Sequence, residues 1–395
     1  MTNSHALAAT GQTALQSTLQ STLQWLALSL TPGIGASRGR KLVQLFDGVE
    51  NLFKSSLTEL EAAGLPAASA QSLALGKSLE LAADELDRVK SMGASVVPLD
   101  AGNYPKRLQE IYDPPLVLYL NGNAEVISQV GLAVVGTRHP TPYGSGIAER
   151  LTSDLAARGL VIISGMARGI DTAAHRGALN GHGKTVAVWG TGIDVTYPKE
   201  NQKLADQILA SGGAIISEFP LGTFPAPQNF PIRNRIISGM SIGVLVIEAG
   251  EYSGTRVTAR CALEQGRDVY AVPGNVTNKL SWGPNTLIKQ GAALVATWED
   301  VWEALPADIR LALTPPEPSA SSEPGTASLF GGPNLPPDEQ KIFAVLRADE
   351  PTHIDELVER LVAQLSSSQI FAALFELELS GRIRVLPGKY YVRAI

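Results

Sequence analysis

Apolar positions along the chain fall into three successive textures. Near the start, Leu15-Gln16-Ser17-Thr18 is repeated at once as Leu19-Gln20-Ser21-Thr22 before Leu23. A leucine every four residues marks one stripe of a helix, which runs on through Trp25 to Leu30. Thr31-Pro32-Gly33-Ile34-Gly35 interrupts it, and a second helical pattern follows through Leu42, Leu45 and Phe46. Helix, Gly-x-Gly turn, helix fits a helix-hairpin-helix (SAM-like) unit, whose backbone N–H groups can meet a phosphate, and equally a plain αα-corner. Helical periodicity from Leu57 to Leu86 completes a small all-α domain over 15–94, with 1–14 as a disordered tail.

From about residue 95 the texture changes to short β-rich runs, each ending at glycine or a polar loop and followed by a helical stretch. The runs are Leu116 to Leu120, Leu132 to Val135, Leu160 to Ile163, Thr185 to Trp189, Ala214 to Ile216, Val244 to Ile247 and Val269 to Val272. Continuous apolar runs alternating with helices predict a mainly parallel sheet covered on both faces, a Rossmann-like α/β domain over 95–312. Its ligand site belongs at the carboxyl ends of the strands. A linker over 313–336, rich in proline, serine and glycine, leads to a third texture over 337–395. Helical patterns around Ile342 to Leu346, Ile354 to Leu361 and Gln369 to Leu377 precede Arg382 to Val385, a Pro387-Gly388 turn and Tyr390 to Val392. This order predicts a winged helix-turn-helix.

Hydrophobic residues at 44% and charged residues at 18% exclude bulk disorder. No stretch approaches the ~18 uninterrupted apolar residues of a membrane span, and no charged segment precedes an apolar block near the start, the first basic residue being Arg38. A cytoplasmic protein without membrane contact is expected. Five histidines without metal-site spacing and the single Cys261 argue against a structural zinc or an internal disulfide. The net charge of −6 is uneven: residues 1–129 carry 9 Lys/Arg and 12 Asp/Glu, residues 130–300 carry 15 and 13, and residues 301–395 carry 8 and 13. Only the middle is positive, so an anionic ligand is to be sought there.

Three enzyme motifs almost form in that middle, and each fails on context. Gly183-Lys184-Thr185 resembles the end of a Walker A loop, but Ala178 takes the place of its first glycine and the lysine leads into a strand. Gly239-Met240-Ser241-Ile242-Gly243 precedes a strand where a nucleophile elbow would follow one. Gly190-Thr191-Gly192 meets Val195 at the third glycine of the dinucleotide fingerprint, so no nicotinamide cofactor, and no other, is expected. What remains is a set of glycine-rich loops with cations: Gly136-Thr137-Arg138, the loop from Ser164-Gly165 to Arg168-Gly169, and Ser253-Gly254-Thr255. Glycines admit a ligand to the backbone, helix N-termini aim N–H groups at an anion, and arginine forks match phosphate oxygens. Arg233, Asn234 and Arg235 ahead of Ile236-Ile237, and Lys199 after Tyr197-Pro198, extend the candidate site. Asp171 and His175, four apart on a helix, are read as a helix-start carboxylate and a packed neighbour, and Glu248 as the partner of one of the arginines. Phe230, Tyr252 and Trp282 are candidate stacking platforms for bases.

Taken together, these residues resemble the DNA processing protein A (DprA, or Smf) family. The likeness rests on Asn103-Tyr104-Pro105, Asp113-Pro114-Pro115, Gly136-Thr137-Arg138, Ser164 to Asp171, Gly190 to Asp194, Phe230 to Gly239, Glu264 to Arg267 and Val272-Pro273-Gly274. The resemblance implies a non-enzymatic protein of natural transformation that binds and protects single-stranded DNA and loads RecA recombinase on it. It also implies a homodimer built through the α/β domain, for which apolar helical segments such as Ile288 to Val295 are candidates. Its phosphate-contacting positions carry over to the Gly136–Arg138 loop, the Ser164–Gly169 loop and Lys184. The competing readings are a nucleotide hydrolase of the lysine-decarboxylase-like Rossmann group, with Glu248 and Arg168 acting on a nucleoside monophosphate, and a sensor of a nucleotide-derived signal.

Overall fold

The computed structural model describes residues 17–313, 335–348, 350–362 and 364–393. The expected tail over 1–14 and nearly all of the expected linker lie outside these residues. Helix α1 covers residues 17–30, and the turn through Gly33 delivers the chain to α2 (Ala36–Leu45). Four further helices follow: α3 (Val49–Lys54), α4 (Leu57–Ala62), α5 (Ala67–Ala74) and α6 (Lys77–Ser91).

A nine-stranded sheet forms the centre, in the order β1-β2-β6-β5-β4-β3-β7-β8-β9. Its strands are β1 (Ser95–Pro98), β2 (Val117–Gly122), β3 (Gly131–Val135), β4 (Val161–Ser164), β5 (Thr185–Val188), β6 (Ala214–Ser217), β7 (Gly243–Val246), β8 (Asp268–Ala271) and β9 (Ala293–Leu294). All seven expected runs are strands, and β3 to β9 pair in parallel, while β2 is antiparallel to both neighbours. Two edge strands escape the sequence reading. In particular, Ile288 to Val295 is not a helical segment: the helix there ends at Lys289 and the chain turns into β9, whose two residues are exposed.

Alternation along each strand divides the core. Val161 and Ile163, Val186 and Val188, Val244 and Val246 face the side covered by the N-terminal helices and by α11 (Asn229–Met240) and α12 (Thr255–Glu264). The N-terminal helices thus share one continuous core with the sheet. Leu132, Val134, Ile162 and Leu245 face the other side, under α8 (Pro142–Ala157) and α9 (Ile170–Asn180), with α10 (Gln202–Ala210) beside them over Ala187 and Ile215. The short α7 (Lys106–Gln109) lies in the connection from β1 to β2, and α13 (Trp282–Lys289), α14 (Trp298–Ala304) and α15 (Ala307–Ala312) close the domain.

The C-terminal residues build their own core around Ile342, Leu357, Ile370, Leu374 and Leu377. Helices α16 (Pro337–Val345), α17 (Ile354–Leu361) and α18 (Ser367–Leu379) pack beside the hairpin β11 (Ile383–Leu386) and β12 (Tyr390–Arg393), with β10 (Thr352–His353) completing the sheet. This is the winged helix anticipated from the sequence. Phe371, Phe375 and Leu379, four apart, are exposed along α18. Among the described residues no helix is long and apolar enough to cross a membrane.

Candidate functional site

The order of the strands creates the site. From β3 the chain moves to β4, β5 and β6 on one side, then returns to β7 on the other, so the loops after β3 and β7 part and leave a crevice at the carboxyl ends. Its volume is ≈ 800 Å³. One wall is Gly136-Thr137-Arg138 after β3, the other Gly250 to Thr255 after β7, and α11 supplies Phe230, Arg233 and Asn234. Thr137 is stitched in from both sides: its N–H donates to the Glu248 carbonyl at 2.6 Å, and its carbonyl accepts from the Ile170 N–H at 3.1 Å. Gly169 sits against this loop with φ +76°, and a side chain there would meet Pro140 and the Arg138 backbone. Across the crevice the Ser253 hydroxyl accepts from the Thr255 N–H at 3.2 Å, which opens α12 with its N-terminus on the cavity.

Arg138 is exposed, with its guanidinium 5.6 Å from the centre of the Phe230 ring, and Phe230 lies 5.6 Å from Tyr197. This cation and aromatic stack stands at the rim. Below it Arg233 is buried, and its Nη1 donates to the carbonyls of Gly165, at 2.6 Å, and Val188. Its Nε has no partner among the described residues. Burial pushes this guanidinium down to about 10, partly offset by Asp171. Gly165 is required here because any side chain would enter the guanidinium's space.

Asp171 and His175 do not form an acid/base pair. The Asp171 carboxylate accepts from the N–H groups of Gly165 and Ala167, each at 3.2 Å, and so ties down the loop before α9. Burial raises its pKa, against the pull of Arg233. His175 is fully buried and held down to about 3 by burial and by Arg233. The Thr185 hydroxyl gives its proton to the Ile162 carbonyl and therefore accepts from His175 Nδ1 at 2.7 Å.

Several sequence-predicted positions lie elsewhere. Glu248 pairs with no arginine: its two oxygens accept from the Thr141 N–H at 2.8 Å and hydroxyl at 2.6 Å, and Thr141 caps α8 through the Gly144 N–H. Arg235 is not in the crevice but bonds Asp113 at 3.0 Å and Glu218. Two helical steps rotate it about 200° from Arg233, so neighbours in sequence face opposite ways. Lys184 precedes β5, at the amino end of the sheet, and donates to the Ser211 carbonyl. The Ser164 hydroxyl is buried on the Val134 carbonyl at 2.7 Å, and Arg168 pairs with Glu200 outside the cavity lining, near exposed Lys199. The crevice thus gathers Gly136, Thr137, Arg138, Arg233, Asn234, Ser253, Gly254 and Thr255, with Gly165 and Gly169 as supports. Missed were His139, Tyr197 as a stacking partner, and Pro225 and Pro227. The two prolines follow β6, so the strand-end rule that found the other loops applies to them as well.

A family model for DNA recombination-mediator protein A matches residues 95–306, and one for the DprA winged helix domain matches residues 315–389. The chain is 42% identical over 301 residues to Protein Smf of Escherichia coli (strain K12), covering 75% of this chain and 76% of that protein. It is 34% identical to Protein Smf of Synechocystis sp., covering 93% and 98% of the two chains. Among solved structures, DNA processing protein A of Streptococcus pneumoniae is similar with TM-score 0.63 and 35% identity, over 71% of this chain and 96% of that one.

Proposed function

The chain belongs to the DNA recombination-mediator protein A family, and on that premise we propose that it holds single-stranded DNA in the crevice without chemical change, shields it and passes it to RecA recombinase in natural transformation. The observation that carries this reading is the make-up of the crevice. Exposed Arg138, two glycine-bearing loops and a helix N-terminus face one cavity at the switch point, beside the Tyr197–Phe230 stack. Such a set suits phosphates and bases together. Both acidic side chains best placed for catalysis have structural employment, Glu248 on Thr141 and Asp171 on backbone amides, which supports holding a polyanion over cleaving it. The protein would work in the cytoplasm as a homodimer through the α/β domain, where the exposed edge of β9 offers a pairing surface.

The test is a fluorescence anisotropy titration of single- and double-stranded oligonucleotides at several salt concentrations. Tighter binding of the single strand, weakening as salt rises and indifferent to base sequence, is the expected result. Equal or tighter binding of duplex would overturn it. Turnover of nucleoside monophosphates by the same preparation would overturn the non-enzymatic part.

A further inference from the structure

The loop between β6 and α11 is tied down along its length although it lies on the surface. Glu85 of α6, itself buried, accepts from the Leu221 N–H at 2.8 Å. Both oxygens of Asp194 accept from the Gly222 N–H at 2.9 Å, the Thr223 carbonyl accepts from the Gly192 N–H at 3.0 Å, and Asn229 reaches back to the Gly190 carbonyl at 3.1 Å. These bonds present Phe224, which is 76% exposed, immediately before Pro225 in the crevice wall. On the far side of the switch point the loop after β7 carries Tyr252 into the lining, 92% exposed. Since β6 and β7 lie on opposite sides of β3, Phe224 and Tyr252 are carried by loops on opposite flanks of the cavity.

Aromatic rings left bare at the mouth of a cationic cavity have a ready use. Nucleobases of a single strand offer free π-faces for them, whereas those of a duplex are already stacked on each other. We propose that Phe224 and Tyr252 are base-stacking platforms on either flank of the crevice, so that a strand whose phosphates meet the Gly136–Arg138 loop is gripped by its bases on both sides. The inference rests on the single-strand reading above and adds to it two contacts and a physical basis for rejecting duplex.

The experiment compares the full-length protein with Phe224→Ala, Tyr252→Ala and the double variant. Each is titrated with an oligo-dT and with the same oligomer carrying abasic sites at its central positions. The wild type should bind the abasic strand about tenfold more weakly. The double variant should bind intact oligo-dT about tenfold more weakly than the wild type, no longer distinguish the two strands, and keep the wild-type salt slope, because no phosphate contact is lost. In a Tyr252→Ala background, Phe224→Trp should keep a preference for the intact strand that Phe224→Ala loses. A double variant as tight as the wild type, or one that still prefers the intact strand to the same degree, overturns the proposal while leaving the single-strand reading standing. Failure of the wild type to bind either oligomer overturns both. Folding of the variants is checked by circular dichroism, and both side chains are exposed enough to be removed without opening the core.

Discussion

Replacing Gly165 by alanine adds one methyl group and is expected to destabilise the protein by about 3 to 5 kcal/mol. The new Cβ would stand 2.6 Å from the Arg233 guanidinium carbon and 2.7 Å from its Nη2, well inside the roughly 3.5 Å at which such atoms meet. Arg233 is 4% exposed. Displacing it breaks the bonds from Nη1 to the Gly165 and Val188 carbonyls. Hydrogen bonds to a charged group contribute about 1.5 to 3 kcal/mol each, and the move also withdraws the positive charge that stabilises buried Asp171. Gly254→Ala is the matched control: its φ is −59° and nothing lies within 4 Å of the added atom, so stability should change by no more than about 0.5 kcal/mol. Urea denaturation followed by circular dichroism at pH 7 measures both. A Gly165→Ala protein within about 1 kcal/mol of wild type, or an equal loss in Gly254→Ala, would refute the packing argument, since the whole effect is assigned to one buried guanidinium.

Arg138→Ala should weaken single-strand binding by about 1 to 3 kcal/mol and reduce the salt slope by about one, whereas Arg235→Ala should lower stability and leave affinity nearly unchanged; normal binding by folded Arg138→Ala would remove that residue from the site. Stability should depend on His175 with a definite sign. The folded imidazole resists protonation down to about 3 while the unfolded one takes a proton near 6.5, so its contribution is full above pH 6.5 and falls by about 1.4 kcal/mol per pH unit as pH drops toward 3. Asp171, raised by burial, pulls the other way, and the difference between wild type and His175→Gln isolates the imidazole; parallel denaturation profiles from pH 6 to 4.5 would show that it is not buried in the neutral form. Ending the chain near Ser319 should leave a folded core with most of its single-strand affinity. The winged helix carries 7 Lys/Arg against 9 Asp/Glu over residues 337–395, and α18 exposes Phe371 and Phe375 where a DNA-reading helix would need cations. A loss of more than about tenfold, ~1.4 kcal/mol, in a parallel titration would make that domain a principal DNA site.

Much of this protein was written locally. Seven strands were readable because a run such as Val161-Ile162-Ile163, buried on both faces, has no polar positions to alternate, and the helices between them carry their own period. Their carboxyl-end loops, and with them the Gly136–Arg138 and Ser253–Thr255 walls, followed from the general placement of ligands in parallel sheets. The edge strands were not readable, since two exposed residues in β9 leave no pattern.

Only the tertiary structure decided what each charged group does. Arg233 and Arg235 look alike in the sequence, yet α11 turns one under the crevice and the other onto Asp113 and Glu218. Lys184 is next to a strand, but at the amino end, far from the ligand side. Glu248 found Thr141, 107 residues away, because β7 pairs beside β3 and brings the start of α8 within reach. Periodicity reports which residues are buried and in what local geometry. The order in which strands lie side by side is set by packing between distant segments, and that order selects the partner of every buried charge.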